Sequence, residues 1–294
     1  MNQGFVYRDT ISEKQGGHSA LDYLTRHYPH TSSTDWEARF AAGEIRVDSR
    51  PAAPEQTVLA GQELAWHRPP WEEPSAPLDF AVLARDAHYL AVAKPSGLPT
   101  LPGGGFLEHT LLSLVRARVP EATPLHRLGR GTSGVLVFAL TGRGREHGTQ
   151  AFRRGQVKKT YRCLATGTPD HHAWTQDTGI GPVPHAPLGT VMAASPAGKP
   201  ARSHVRVLRE HPDNFLAEVQ IETGRAHQIR IHLAASGHPL VGDPLYGAGG
   251  LPLPGTQALP GDLGYLLHAA EIALPHPETR TLWTVRCTPP AALQ

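Results

Sequence analysis

GRAHQIRIHLAASGHPLVGDPLYG, residues 224–247, is the most distinctive stretch of the chain. Its pattern predicts a helix over 226–235 that ends at Gly237, followed by a Gly/Pro turn. His227 and His232 lie five positions apart, so they do not share a helix face as ligands at i, i+4 would, and we do not interpret them as a zinc site. Asp243 has the setting of a turn or cap carboxylate.

The composition is that of a globular protein without a disulfide framework. Of 294 residues, 39% are hydrophobic and 18% charged, and the 30 glycines and 28 prolines predict many turns. The two cysteines form no CxxC pair, so we expect no metal. No apolar run is long enough for a membrane span, and the first residues lack the apolar core of a signal peptide. We therefore expect a soluble, cytoplasmic chain without membrane contact.

Positive charge is concentrated in one window. The formal net charge is only +2, yet residues 125–162 contain nine basic residues and a single acid, Glu146. Such a stretch is typical of a surface that faces phosphates, and a solvated helix face is the alternative interpretation.

The N-terminal quarter has its own pattern. We predict a loose arm over 1–17, two short helices and a hairpin over 18–66, and a Pro-rich linker over 67–78. The segments ARFAAGEIRVDSRPA and VLAGQELAW are similar to the alpha-L RNA-binding domain. A generic helical hairpin that caps the larger domain is the alternative.

The remainder is predicted to be one domain over 79–288 with a short tail over 289–294. Its predicted strands outnumber its helices and lack regular βαβ alternation, which favours an α+β fold with a mixed, mostly antiparallel sheet. The Pro-, Gly- and His-rich region 167–202 is expected to form long loops.

Four segments together resemble the RluA-type pseudouridine synthases. They begin at Ala93 (AKPSGLPT), His126 (HRLGRGTSG), Lys158 (KKTYRCLATG) and Gly224 (the stretch quoted above). The resemblance implies the pseudouridine synthase fold and a cofactor-free isomerisation of uridine in ribosomal or transfer RNA. In that reaction a uridine is flipped out, its glycosidic bond is cleaved, and a ring carbon is rejoined to the sugar. The partner implied is RNA. We expect the chain to be a monomer.

The resemblance also implies roles for particular residues. Arg127 matches the wedge that fills the space of the flipped base, since a planar guanidinium can stack there; a structural salt bridge is the alternative. Tyr161 matches the active-site tyrosine, which its basic neighbours favour, and a tyrosine of the core is the alternative. Arg230 matches the partner of the catalytic aspartate. We predict RNA contacts for further basic side chains: Arg130, Lys158, Lys159, Arg162, Arg225 and His227.

One position departs from the family pattern. Where the family signature reads His-Arg-Leu-Asp, this chain has Gly129, which cannot act as nucleophile, base or electrostatic stabiliser. Three hypotheses follow: a working synthase that uses another carboxylate, an inactive RNA-binding relative, or a different enzyme on the same frame, such as a zinc-dependent deaminase. For the first, the candidate carboxylates are Glu222, Asp86 and Glu108.

Overall fold

A small antiparallel sheet packed against two helices forms the first unit of the chain, Met1–Glu73, in the computed structural model, which describes residues 1–29 and 31–294. Its strands lie in the order β1-β4-β2-β3. The elements are β1 (Phe5–Thr10), α1 (Ala20–His27), α2 (Ser33–Ala41), β2 (Ile45–Val47), β3 (Arg50–Pro51) and β4 (Glu63–Arg68).

Local capping determines where the two helices of this unit begin. The Ser19 side chain accepts a hydrogen bond from the backbone N–H of Asp22, and Ser32 forms a reciprocal capping box with Asp35. The apolar faces of the helices and the inner face of the sheet then share one core, formed by Tyr23, Leu24, Trp36, Phe40, Ile45, Val47 and Leu64.

Residues 1–17 differ from the loose arm expected from the sequence. Phe5–Thr10 form strand β1, which pairs antiparallel with β4 from Phe5 opposite Arg68 to Thr10 opposite Glu63. β1 is an edge strand whose side chains are mostly exposed, and its partner lies far along the chain. Neither property produces a local hydrophobic alternation, so the sequence pattern did not reveal the strand.

The second unit, Pro74–Gln294, contains the larger sheet, and the boundary at 73/74 falls inside the segment that the sequence analysis assigns to a linker. Its first half contains β5 (Ala81–Arg85), β6 (Tyr89–Lys94), α3 (Leu111–Arg116), β7 (Thr123–Pro124), β8 (Ser133–Ala139), α4 (Gly142–Arg153) and β9 (Lys158–Thr166). Its second half contains β10 (Ala173–Gln176), β11 (Ile180–His185), β12 (Gly189–Ala194), β13 (Ser203–Glu210), β14 (Asn214–Ile221), α5 (Gln228–Ala235), β15 (Leu267–Pro275) and β16 (Leu282–Arg286).

The large sheet runs in the order β10-β13-β14-β9-β15-β8-β6-β5, with β16 added beside β15 and β7 beside β8. β15 and β8 pair in parallel, and the other neighbouring strands of this sheet pair antiparallel. This arrangement confirms the predicted α+β class with a mixed, mostly antiparallel sheet. The inner strands β6 and β8 are buried on both faces, and β8 contains the apolar run Val135–Ala139.

The region 167–202 was predicted wrongly as long loops. It contains β10, which extends the large sheet, and the hairpin of β11 and β12, whose register runs from Ile180 opposite Ala194 to His185 opposite Gly189. Pro182 and Pro184 obscured this hairpin in the sequence. Proline is tolerated there because the hairpin has only two strands, so each strand keeps an edge that needs no N–H donor. Across residues 1–29 and 31–294, no helix has the length and apolarity to cross a membrane.

Candidate functional site

The loop Leu128–Gly131 is held by the segment that follows strand β6. The Lys94 ammonium is 1% exposed and donates to the carbonyl oxygens of Pro95 at 2.8 Å, Leu98 at 2.6 Å and Arg130 at 3.2 Å. Burial lowers the pKa of Lys94 to about 7, while the three carbonyl dipoles stabilise its charged form. Lys94 thus joins two loops and does not face a substrate.

Further hydrogen bonds reinforce this junction. The Ser96 hydroxyl donates to the carbonyl oxygen of Gly131 at 2.8 Å. The Thr100 hydroxyl donates to the Leu128 carbonyl oxygen at 2.9 Å and accepts from the Leu128 N–H at 3.2 Å. Side chains of the 94–100 segment therefore contact both ends of the 128–131 loop and fix its position.

A cleft of about 540 Å³ lies between these two loops, the start of α5 and the 260–261 turn. Its volume is within the usual range of ligand sites. Three arginines line it, Arg127, Arg130 and Arg225, and its walls contain no carboxylate. The other lining residues are Pro99, Thr100, Leu101, Pro102, Gly103, Leu128, Gly129, Gly224, Ala226, His227, Pro260 and Gly261.

The three cleft arginines differ in how they are held. Arg130 donates through Nε to the Gly261 carbonyl oxygen at 2.7 Å and lies 3.8 Å from a carboxylate oxygen of Asp262. Arg225 donates through Nε to the Pro200 carbonyl oxygen at 3.0 Å. Arg127 is exposed, and among residues 1–29 and 31–294 it has no ion-pair partner. Of the three, Arg127 is the one whose guanidinium is held neither by a carbonyl oxygen nor by a carboxylate in the described part of the chain.

Gly129 and Gly131 form a socket around the ring of Tyr265. A Cβ at Gly129 would lie 3.2 Å from the Tyr265 hydroxyl oxygen, and a Cβ at Gly131 would lie 2.9 Å from the ring carbon that bears it. The tyrosine is 4% exposed. The space beside the position where the resemblance expects an aspartate is therefore occupied by a phenol.

Arg230 is buried behind this socket and is paired with Asp243. Its Nε and Nη2 donate to the two carboxylate oxygens at 2.7 and 2.8 Å, Nη1 donates to the Pro260 carbonyl oxygen at 2.9 Å, and its guanidinium lies 4.1 Å from the Tyr265 ring centroid. Burial is the largest single effect and lowers the pKa of Arg230. The hydrogen bonds of Asp243, together with the electrostatic effects of Tyr265, Asp243 and Tyr246, outweigh it, so the pKa is raised. Asp243 also accepts from the backbone N–H groups of Leu245 and Tyr246, as expected of a turn carboxylate.

Strand β9 separates the basic residues that the sequence analysis grouped together. Lys159 and the 9%-exposed Tyr161 share one face, where Lys159 Nζ donates to the Thr223 carbonyl oxygen at 3.1 Å, next to the cleft residue Gly224. Lys158 and Arg162 lie on the opposite face because side chains alternate along a strand. There Arg162 is ion-paired with Glu218 at 3.3 Å.

Tyr161 packs within the core of the large sheet, and burial raises the pKa of its phenol to about 12. The structure therefore brings Arg127, Gly129, Arg130, Arg225 and His227 to one cleft and places Lys159 beside it. It does not bring Lys158 or Arg162 there. Tyr161 and Arg230 are not among the lining residues, and Arg230 is paired with Asp243.

None of the three carboxylates suggested as a substitute lines the cleft. Glu222 is paired with His204 on the surface at 2.8 Å. Asp86 accepts from the backbone N–H groups of its own turn, at His88 and Tyr89. Glu108 lies outside the cleft walls.

His227 and His232 have different environments. His232 is buried, with its ring nitrogens bonded to the Ser203 hydroxyl and the Thr178 carbonyl oxygen, which is a structural role. His227 precedes α5 in a left-handed conformation with φ 56°, lines the cleft, and contacts the Tyr246 hydroxyl through Nδ1 at 2.6 Å. Within the described ranges, 1–29 and 31–294, no group of His, Cys, Asp and Glu could hold a metal ion.

Sequence reasoning missed two parts of this site, Tyr265 and the pairing of Arg230 with Asp243. Tyr265 lies outside the recognised motifs, so no local signal marked it. Asp243 stood in a recognised motif, but the identity of the carboxylate that reaches Arg230 depends on how the 242–247 turn folds back onto α5.

Comparisons with known proteins agree on one family. A family model described as RNA pseudouridylate synthase matches residues 88–235. An uncharacterized RNA pseudouridine synthase of Synechocystis sp. is 42% identical over 262 residues, covering 88% of this chain and 90% of that protein. The ribosomal large subunit pseudouridine synthase D of Neisseria meningitidis is 32% identical over 274 residues, covering 89% of this chain and 72% of that protein. The solved structure of human RNA pseudouridylate synthase domain containing 1 has a TM-score of 0.59 at 24% identity, covering 74% of this chain and 86% of that one, a likeness of fold.

Proposed function

Because this chain belongs to the RNA pseudouridine synthases, we propose that it isomerises specific uridines of ribosomal RNA in the cleft beside Gly129. The observation that carries the proposal is that three arginines and no carboxylate line the cleft, a surface suited to a polyanion. Ribosomal RNA is chosen over transfer RNA because the Neisseria relative is named for the large ribosomal subunit.

The exposed Arg127 is assigned the wedge role. Extruding a uridine costs a few kcal/mol of lost stacking, and a planar guanidinium that enters the vacated space recovers part of it. Arg130 and Arg225 are anchored through Nε to backbone carbonyl oxygens, so their remaining N–H groups are held in place for RNA phosphates.

A second candidate function is supported by the same wall. Since the cleft contains no carboxylate and Gly129 has no side chain, a chain that binds RNA without isomerising it also fits the arrangement. Loss of a catalytic carboxylate from an otherwise intact site typically costs several powers of ten in rate. The two candidates differ in turnover, not in binding.

Tritium release from RNA labelled at carbon 5 of uridine separates the two candidates. The full-length protein is incubated with a large-subunit ribosomal transcript and, in parallel, with bulk transfer RNA. Release from the ribosomal transcript is the expected result. Release from transfer RNA alone would mean that the protein is an isomerase whose substrate is transfer RNA. Binding to the ribosomal transcript without release from either RNA would favour the second candidate.

Two variants test whether a carboxylate at position 129 is what the site lacks. In Gly129→Asp the new side chain meets the Tyr265 hydroxyl, so Gly129→Asp with Tyr265→Phe is made as well to remove that oxygen. Release only by these variants would establish an intact site that lacks one carboxylate. Release by the native protein would establish catalysis without it.

A further inference from the structure

The protonation of His227 can be read from its hydrogen bonds. The Tyr246 hydroxyl donates its single proton to the Met192 carbonyl oxygen at 2.6 Å, since a carbonyl can only accept. The same hydroxyl lies 2.6 Å from His227 Nδ1 and must therefore accept the hydrogen bond from it. Nδ1 carries the ring proton, so in the neutral ring Nε2 carries a lone pair.

That lone pair is available to the cleft. His227 lines the cleft, and in the described part of the chain its Nε2 has no hydrogen-bond partner. The left-handed backbone at φ 56° and the bond to Tyr246 together determine the ring orientation. A neutral imidazole with an assigned tautomer and an open acceptor nitrogen is the arrangement required of a general base.

The other lining side chains cannot accept a proton. Arg127, Arg130 and Arg225 are permanently charged donors. The Thr100 hydroxyl already donates to and accepts from Leu128. His227 is thus the one titratable acceptor in the walls, all of whose residues belong to the described part of the chain.

We propose that His227 is the base that removes the proton from carbon 5 of the uracil ring after that carbon has been rejoined to the sugar. The inference rests on the proposed isomerase function. When carbon 5 attacks the sugar carbon, the ring is left with a double bond between N1 and C6, and carbon 5 carries both the sugar and its original hydrogen. Nε2 takes that proton, the C–H electron pair forms the C5–C6 double bond, and the former N1–C6 π pair moves to N1.

The charges then balance. N1 takes a proton from water and the imidazolium returns its proton to water, so the net change is the transfer of one hydrogen from carbon 5 to N1. The proton on carbon 5 is acidic because a carbonyl group is adjacent and because its loss restores the conjugated ring. A weak base is therefore sufficient to remove it.

The surroundings of His227 keep it neutral between turnovers. Burial and the positive charges of Arg230 and Arg127 lower its pKa to about 4, against the opposing effect of Asp243. The same charges favour rapid loss of the proton after it has been taken up.

Two substitutions separate the base from the ring's other contacts. His227→Asn suits the left-handed backbone and places an amide near the Nδ1 position, which retains a donor for Tyr246 but removes Nε2. His227→Gln places an amide near Nε2 that cannot take up a proton. His204→Asn, at an exposed histidine outside the cleft, is the matched control.

The substrates are ribosomal transcripts containing uridine or 5-fluorouridine, studied in single turnover with RNA affinity and thermal unfolding measured alongside. A base cannot remove fluorine from carbon 5 as it removes a proton. With 5-fluorouridine, the product in which carbon 5 is joined to the sugar therefore forms without proton removal by His227. We expect both His227 variants to lose about 100-fold or more on uridine. We expect them to form the carbon-linked 5-fluoro product within a few fold of the native rate.

Equal losses on both substrates would overturn the base assignment and leave a positioning role, and native rates on uridine would overturn any role. A native protein that is silent on both transcripts yet binds them would refute the proposed isomerase function itself. This outcome is distinct from failure of the variants alone.

Discussion

Arg127 and Arg230 carry the same guanidinium group and both lower the pKa of His227, yet their environments are opposite. Arg230 is 2% exposed, is bonded twice to Asp243, and has a tyrosine ring against its face. Arg127 is exposed on the cleft wall. A buried pair with satisfied donors organises the interior, whereas an exposed guanidinium without a counter-charge is available to a ligand. Burial and pairing, more than residue type, distinguish the two roles.

Removing the carboxylate of the buried pair is expected to have the largest effect. Asp243→Ala leaves the Arg230 charge without its partner in a buried site, which should cost about 3–5 kcal/mol in the free energy of unfolding. Asp262→Ala is the matched control, since this exposed carboxylate lies 3.8 Å from the cleft residue Arg130 and should cost at most about 1 kcal/mol. Urea unfolding of both variants measures the difference, and similar losses would contradict the comparison.

The glycine socket should give an intermediate effect. Gly131→Ala forces a methyl group to within 2.9 Å of the Tyr265 ring and should destabilise the protein by about 1–3 kcal/mol. Gly129→Ala meets only the hydroxyl at 3.2 Å, so a smaller loss is expected. Thermal unfolding of the two variants gives the order. Gly131→Ala is also measured in a Tyr265→Leu background. If it lowered the free energy of unfolding there by as much as in the native protein, the Tyr265 ring would not be the cause of the loss.

The smallest effects on stability, and the clearest ones on binding, are expected from the exposed arginines. Arg127→Ala should weaken RNA binding and reduce the slope of log K against log salt by about one. Arg162→Ala should leave both unchanged, because this residue is paired with Glu218 on the other face of β9. Titration of labelled RNA at several salt concentrations measures the affinity of both variants. A loss of affinity in Arg162→Ala as well would show that RNA contacts both faces of β9.

Local patterns in the sequence were sufficient for some parts of the molecule. The helix predicted over 226–235 is observed at Gln228–Ala235, and its end at Gly237 follows from the left-handed glycine there. The class of the large sheet followed from the number of strands and the lack of βαβ alternation. These features depend on spacing between neighbours in the chain.

Other parts depend on partners that are distant in sequence. β1 exists because β4 supplies its hydrogen bonds, and Arg230 is neutralised by Asp243 because a turn brings that carboxylate back to α5. The alternation along β9 also shows why a basic run such as Lys158, Lys159 and Arg162 does not form one surface. The sequence shows the charges, but the strand divides them between two faces.

The Lys94 junction has a consequence for how RNA is selected. Since one ammonium ties together carbonyl oxygens from both loops at the cleft, those loops have little conformational entropy left to lose when a nucleotide arrives. Under the proposed isomerisation, most of the conformational change therefore occurs in the RNA, because its uridine must unstack and turn into a cleft whose loops are already rigid. Transcripts in which that nucleotide is loosely held, such as loops and mismatched helices, will be the better substrates.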